Sequence, residues 1–162
     1  MTIKVGDRVP DATLRVQDED GGAKEISTAE IFAGRKVVLF AVPGAFTRTC
    51  SARHLPGFVD NATALKEKGV DEIACISVND AAVMSAWGMA HGAPGKIVML
   101  ADGNADFATA VGMAEDRRAR GMGTRSRRYS MLVEDGVVTK LNVEPEGNYG
   151  LSSAETMLEQ LP

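Results

Sequence analysis

The chain has 162 residues, 44% hydrophobic and 25% charged, with 18 basic against 22 acidic side chains for a net charge of −4. That length suits one domain able to bury a core without covalent staples, so residues 1–162 are read as a single domain. The acidic balance disfavours a purely electrostatic nucleic-acid binder. Two cysteines are too few for a disulfide scaffold, and no stretch reaches the ~18–20 apolar residues of a membrane helix. The opening MTIKVGDRVPDATL holds no apolar run of signal-peptide type. A cytoplasmic, reducing compartment is expected, and each thiol then calls for its own explanation.

In chain order, residues 3–5 and 12–16 read as short edge strands. KVVLFAV at 36–42 is short, β-branched and bounded by Pro43-Gly44, as expected of a strand buried on both faces. From 47 to 68 the spacing turns helical, with Leu55, Phe58, Val59, Ala62 and Leu65 on one side; Gly69 ends it, and Pro56-Gly57 should kink or interrupt it. EIACISV at 72–78 is a second buried strand. Asn79 or Asp80 then caps a helix through Val83, Met84, Ala86 and Trp87 that stops near Gly92. Residues 96–100 form a third strand and 105–111 a short helix. Residues 128–133 and 137–141 flank Asp135-Gly136, a hairpin signal, and Ser152 or Ser153 opens a closing helix to Leu161.

This order is a β-α-β unit followed by a β-β-α unit. Parallel crossovers are right-handed, so the expected fold is α/β and thioredoxin-like: a mixed central sheet with helices on both faces. Sites in such sheets lie beyond the carboxyl ends of the strands, which directs attention to PGAFTRTC at 43–50. A cysteine in a first helical turn meets unpaired backbone N–H groups and the positive end of the helix dipole, and both favour the thiolate. Thr47 and Cys50, spaced i and i+3, share one face of that turn. The Thr47 hydroxyl is thereby expected to accept from and donate to a group at the sulfur. The bland alternative is an ordinary N-cap at Thr47 or Thr49 and a buried thiol at Cys50.

P-x-x-x-T-x-x-C after the first core strand is the peroxiredoxin signature, and PGAFTRTCSARHLPGF resembles the type II (atypical, fifth) subfamily. GVDEIACISVND, AWGMAHGAPGKIVMLAD, RSRRYSMLVEDGVV and LNVEPEGNYGLS extend the likeness over most of the chain. The resemblance implies a thioredoxin fold and a thiol peroxidase that needs no metal or flavin. It makes Cys50 the peroxidatic cysteine, Thr47 the hydroxyl that orients thiolate and peroxide, and Pro43 a cover that limits access. It makes Arg128, which precedes the aromatic of the R-Y-S-M strand, the active-site arginine. The backbone N–H groups of Thr49 and Cys50 would hold the peroxide oxygens. The substrate range stays open, since hydrogen peroxide, alkyl hydroperoxides and peroxynitrite all present an O–O bond to the same pocket; a homodimer formed by loops around the site is the assembly the resemblance implies. The chain departs from the subfamily at Arg48, where a second proline is usual, and this adds charge at the pocket mouth.

Cys75 lies inside the 72–78 strand and reads as a packed apolar residue. In some relatives a resolving cysteine sits in a loop near the C-terminus; the comparable GLSS at 150–153 has no sulfur. A one-cysteine enzyme is expected, reduced by glutathione with glutaredoxin or by thioredoxin. A peroxide sensor or relay that oxidises a partner protein shares the same first step. Arg117, Arg118, Arg120, Arg125, Arg127 and Arg128 form a cluster that alone would suggest a phosphate or nucleic-acid patch. With Glu115 and Asp116 adjacent and no interleaved aromatic before Tyr129, a solvated rim with Arg128 turned inward is expected instead. His54 could face the pocket one turn after Cys50 but reads as a structural hydrogen-bonding residue. His91 carries no signal, and Trp87 and Met84 read as core.

Overall fold

The computed structural model describes residues 2–162. Its elements are β1 (Thr13–Gln17), β2 (Ala23–Ser27), α1 (Thr28–Phe32), β3 (Lys36–Ala41), α2 (Leu55–Asp60), α3 (Ala62–Glu67), β4 (Glu72–Ser77), α4 (Ala81–Ala90), β5 (Val98–Ala101) and α5 (Asp106–Ala110). There follow β6 (Ala114–Asp116), β7 (Thr124–Ser126), β8 (Tyr129–Glu134), β9 (Val137–Val143) and α6 (Ala154–Gln160). A π-helical turn at Cys50–His54 precedes α2, and a 3-10 turn occupies Arg118–Arg120.

Seven strands form one sheet in the order β2-β1-β5-β4-β3-β8-β9, and β6 pairs with β7 separately. β3, β4 and β5 run parallel, while β8 is antiparallel to β3 and β9 to β8. This is the mixed thioredoxin-like sheet expected from the order of segments. Side-chain alternation along β3 divides the core in two. Val38 and Phe40 face α2, α3, α4 and α6, and meet Leu55, Phe58, Leu65, Met84, Trp87 and Met157. Val37, Leu39 and Ala41 face the other layer, with Phe32 of α1 and Phe107 of α5. The Phe40 and Phe58 rings stack with centroids 4.1 Å apart and planes 6° from parallel. Trp87 and Met84 are fully buried, as expected.

Local chemistry explains several of the boundaries. Asp80 caps α4 by accepting from the Val83 N–H, and Ser153 caps α6 by accepting from the Thr156 N–H. Asp135 and Gly136 both take positive φ, 49° and 80°, as the two-residue turn between β8 and β9 requires.

Three expectations need correction. Residues 3–5 form no strand; Ile3 and Gly6 instead donate to the Val111 and Val138 carbonyls from a loop. The 12–16 segment is β1, but it is interior, because the polar AKEIS of β2 covers it on one side. The 47–68 helix is distorted at Pro56, as expected, but its break lies further on. Lacking an N–H for the Ala52 carbonyl, Pro56 sits in the first turn of α2, and the turn before it is widened so that the Leu55 N–H bonds Cys50 O. The break comes at Asn61, whose side chain donates to the Gly57 carbonyl at 2.7 Å.

Leu39 is fully buried in the middle of β3, between β4 and β8. Truncation to alanine in so closed a site should cost about 2–5 kcal/mol in urea unfolding; a loss below ~1 kcal/mol would contradict the two-faced packing of this strand.

Candidate active site

Beyond the carboxyl end of β3, the chain turns through Pro43 and Gly44 into the helical turn that carries Cys50. The first intrahelical bond of that turn runs from Ser51 N–H to Thr47 O at 2.9 Å. The Thr49 and Cys50 amides therefore precede the first bonded pair and have no intrahelical acceptor. The Thr47 hydroxyl donates to the Gly44 carbonyl at 2.6 Å. Its hydrogen is committed there, so toward the sulfur it can only accept, which narrows the expectation that it both accept and donate. A Cβ at Gly44 would stand 2.8 Å from Arg125 Nη1 and 3.1 Å from Thr47 Cγ2, so a larger residue there would have to displace the end of the Arg125 side chain.

Arg128 lies just before β8, and the register Ala41↔Tyr129 sets it beside the end of β3. Its guanidinium donates through Nη2 to Cys50 Sγ at 3.1 Å and through Nη1 to His54 Nδ1 at 2.7 Å. A guanidinium can only donate, so His54 Nδ1 accepts and the ring proton is on Nε2, which donates to Ser152 O at 2.9 Å. Ser152 is held in turn by Glu144, whose Oε2 accepts from the Ser152 amide and hydroxyl, each at 2.7 Å, and from the Gly150 amide at 2.8 Å. A continuous hydrogen-bonded path thus runs from Glu144 through Ser152, His54 and Arg128 to the sulfur. His54 is fully buried. Burial, with the Arg128 charge second, holds its imidazole far below the ordinary 6.5, at about 3, against the opposing pull of the Ser152 carbonyl. It is neutral at neutral pH and can accept from Arg128.

Pro43, Thr47, Thr49 and Arg128 line a cleft of about 440 Å³. Cys50 is fully buried beneath it and is a free thiol. The sequence-predicted residues are therefore brought together at one site. Arg48 is exposed at the mouth. Arg128 points inward, as the arginine cluster was expected to arrange itself, but Arg125 is not part of a solvated rim. Its Nη1 donates to the Pro43 carbonyl at 3.3 Å and its Nε to the Met122 carbonyl at 2.8 Å, tying the Pro43 loop to the segment before β7. Arg117 and Arg118 pair with Glu115 and Asp116. Sequence reasoning missed Arg125, Glu144 and Ser152 as residues that build this site; they carry no local motif, and His54 and Ser152 are 98 positions apart.

Cys75 is also fully buried and free, paired across β3 and β4 with Phe40. Burial first, then the neighbouring Cys50, pushes its thiol well up, so it stays protonated. Among the described residues no group of three or more His, Cys, Asp or Glu side chains is placed to hold a metal ion.

The depressed His54 value has a stability consequence with a defined sign. Its contribution is fully present above the unfolded value near 6.5 and is lost as pH falls toward about 3. At pH 5 the loss should be about 2 kcal/mol relative to pH 8. In urea unfolding at a series of pH values, His54→Gln should flatten this part of the profile; parallel profiles for the two proteins would contradict the buried neutral imidazole.

A family model described as redoxin matches residues 4–158. The chain is 53% identical to the chloroplastic peroxiredoxin-2E-2 of Oryza sativa subsp. japonica, over 99% of this chain and 73% of that one. Among solved structures it is similar to reduced Prx3 of Vibrio vulnificus in complex with hydrogen peroxide, with a TM-score of 0.95, 51% identity, and coverage of 99% of this chain and 100% of that one. A Plasmodium falciparum antioxidant protein, described as a 1-Cys peroxiredoxin, superposes with a TM-score of 0.90 at 28% identity over 98% of each chain. A thiol buried under an arginine at the end of the first core strand, in a chain with these relatives, belongs to the redoxin family and within it to the peroxiredoxins, thiol peroxidases that reduce peroxides.

Proposed function

We propose that Cys50 is the peroxidatic residue of a one-cysteine enzyme that reduces hydrogen peroxide and alkyl hydroperoxides and is regenerated by an external thiol. The observation that carries this reading is the Arg128 guanidinium 3.1 Å from Cys50 Sγ under an open cleft. The Cys50 thiolate attacks the terminal oxygen of the peroxide in line with the O–O bond. A sulfur–oxygen bond forms, the O–O bond breaks, and the alkoxide or hydroxide leaves and takes a proton from water. Sulfur is oxidised to sulfenic acid and the peroxide is reduced to alcohol or water.

Each neighbouring group acts on a charge or an orientation in that step. Arg128 stays cationic and stabilises both the thiolate and the developing negative charge on the leaving oxygen. Thr47, its own hydrogen held by Gly44 O, accepts from the terminal peroxide O–H. The Thr49 and Cys50 amides donate to the oxygens and keep them in line. Pro43 covers the sulfur and restricts the approach.

Regeneration then needs two equivalents of external thiol. The first condenses with the sulfenic acid to a mixed disulfide and water; the second attacks that disulfide and frees the Cys50 thiol. Glutathione with glutaredoxin is the proposed donor, and thioredoxin the next. The inert burial of Cys75 supports this, as does the likeness to the Plasmodium falciparum protein described as 1-Cys. The two free thiols fit a reducing, cytoplasmic setting. A homodimer through the loops around the site is part of the same proposal, supported by two exposed apolar side chains there, Phe46 at positive φ (62°) and Leu151.

Cys50→Ser should abolish peroxide turnover, and retained turnover would remove the assignment. In protein shown to be folded by urea unfolding, Cys75→Ser should keep turnover within about twofold of the parent with at least one of the two donor systems, because the buried hydroxyl costs stability and leaves the groups around Cys50 in place. Loss with both donors would overturn the one-cysteine reading.

A further inference from the structure

Hydrogen peroxide is neutral and scarcely larger than water, whose share of liquid volume is about 30 Å³. The cleft over Cys50 measures about 440 Å³, and its charge is not balanced. Arg128 is committed to Cys50 and His54, and Arg117 to Glu115 through Nε and Nη2. Glu144 spends Oε2 on the Gly150 and Ser152 donors. Arg127 makes one long contact, 3.5 Å from Nη2 to the Glu144 carbonyl. Arg48 and Arg120, both exposed and both lining the cleft, make no ion pair or side-chain hydrogen bond among the described residues. The exposed acidic counterpart at the same mouth is Glu146. A chain of net charge −4 therefore turns uncommitted guanidiniums toward the cleft over Cys50. Arginine, unlike lysine, presents a planar fork matched to a carboxylate.

We propose that Arg48 and Arg120, assisted by Arg127, form a subsite for a carboxylate on the small molecule that occupies the cleft. Its reacting atom reaches Cys50 while its carboxylate is held at the mouth. Two molecules carry that chemistry: an organic hydroperoxide with a carboxylate tail, and glutathione, a thiol with two carboxylates. The first would make the subsite a determinant of peroxide choice, the second of reductant choice. The proposal rests on Cys50 being the peroxide-reactive thiol. It does not depend on how the sulfenic acid is reduced in the cell.

The test uses the whole protein and two matched pairs of reagents. In the first arm, Cys50 oxidation is timed with a tertiary hydroperoxide bearing a carboxylate and with its methyl ester. In the second, reduction of the Cys50 sulfenic acid is timed with glutathione and with its diethyl ester. Both arms are run at low and high salt on the parent, on Arg48→Ala/Arg120→Ala, and on a charge-matched control, Lys24→Ala/Lys96→Ala, remote from the cleft. A carboxylate preference of about fivefold is expected at low salt in at least one arm, smaller at high salt. It should collapse in the double arginine variant and persist in the lysine control. The arm that shows it identifies the occupant. Equal rates in both arms, or a preference that falls equally in the lysine control, would overturn the subsite and leave the peroxidase reading standing. No oxidation by either hydroperoxide would instead bring down the Cys50 reading and the subsite with it.

Discussion

The site depends on one guanidinium held at two points. Arg128 Nη2 rests on Cys50 Sγ and Nη1 on His54 Nδ1. A cation this close to a fully buried sulfur must be aimed, because an unpaired charge taken out of water is costly. His54 supplies the aim by being neutral. Were the imidazole protonated, it could not accept from Arg128, and two cations would face each other beside the sulfur. The burial that lowers the His54 pKa is thus a condition for the contact to Cys50, and the chemistry of the sulfur is tied to the packing of a core residue.

The sheet makes that arrangement possible. Antiparallel pairing of β3 with β8 places Arg128 beside the end of β3, where the Pro43 turn begins. On the far side of His54, the chain after β9 returns through Glu144, whose backbone N–H donates to the Arg128 carbonyl at 3.0 Å while its carboxylate holds Ser152. Two separate parts of the chain therefore meet behind the guanidinium. The turn that carries Cys50 is fixed from another side as well: the Trp87 indole N–H of α4 donates to Ser51 Oγ at 2.9 Å, next to Cys50. The floor of the cleft is hydrogen-bonded from several sides, while Arg48 and Arg120 at its mouth have no side-chain hydrogen bond among the described residues.

How much of this is legible in the sequence follows from how local each determinant is. The β3 run, the Asp135-Gly136 turn and the α4 and α6 caps are written in neighbouring residues, and the structure has them where the sequence places them. β2 is polar, and β6 and β7 are three residues each, so no periodicity marks them. The interior position of β1 depends on that missing neighbour. Composition cannot choose among six nearby arginines either. Family likeness singled out Arg128, but only the fold shows that Arg125 holds the Pro43 carbonyl. His54 illustrates the same limit: its distance from Cys50 along the chain is readable, its partner at Ser152 is not.

The central claim is that the Arg128 contact drives the reaction of Cys50 with peroxide. It is tested most directly by the second-order rate constant for Cys50 oxidation by hydrogen peroxide in Arg128→Met, followed through the fluorescence of Trp87, the single tryptophan. Loss of one preorganised charge-stabilising donor predicts a fall of about 100-fold or more, with urea unfolding showing a folded protein. A rate within about threefold of the parent, in a folded variant, would contradict the account.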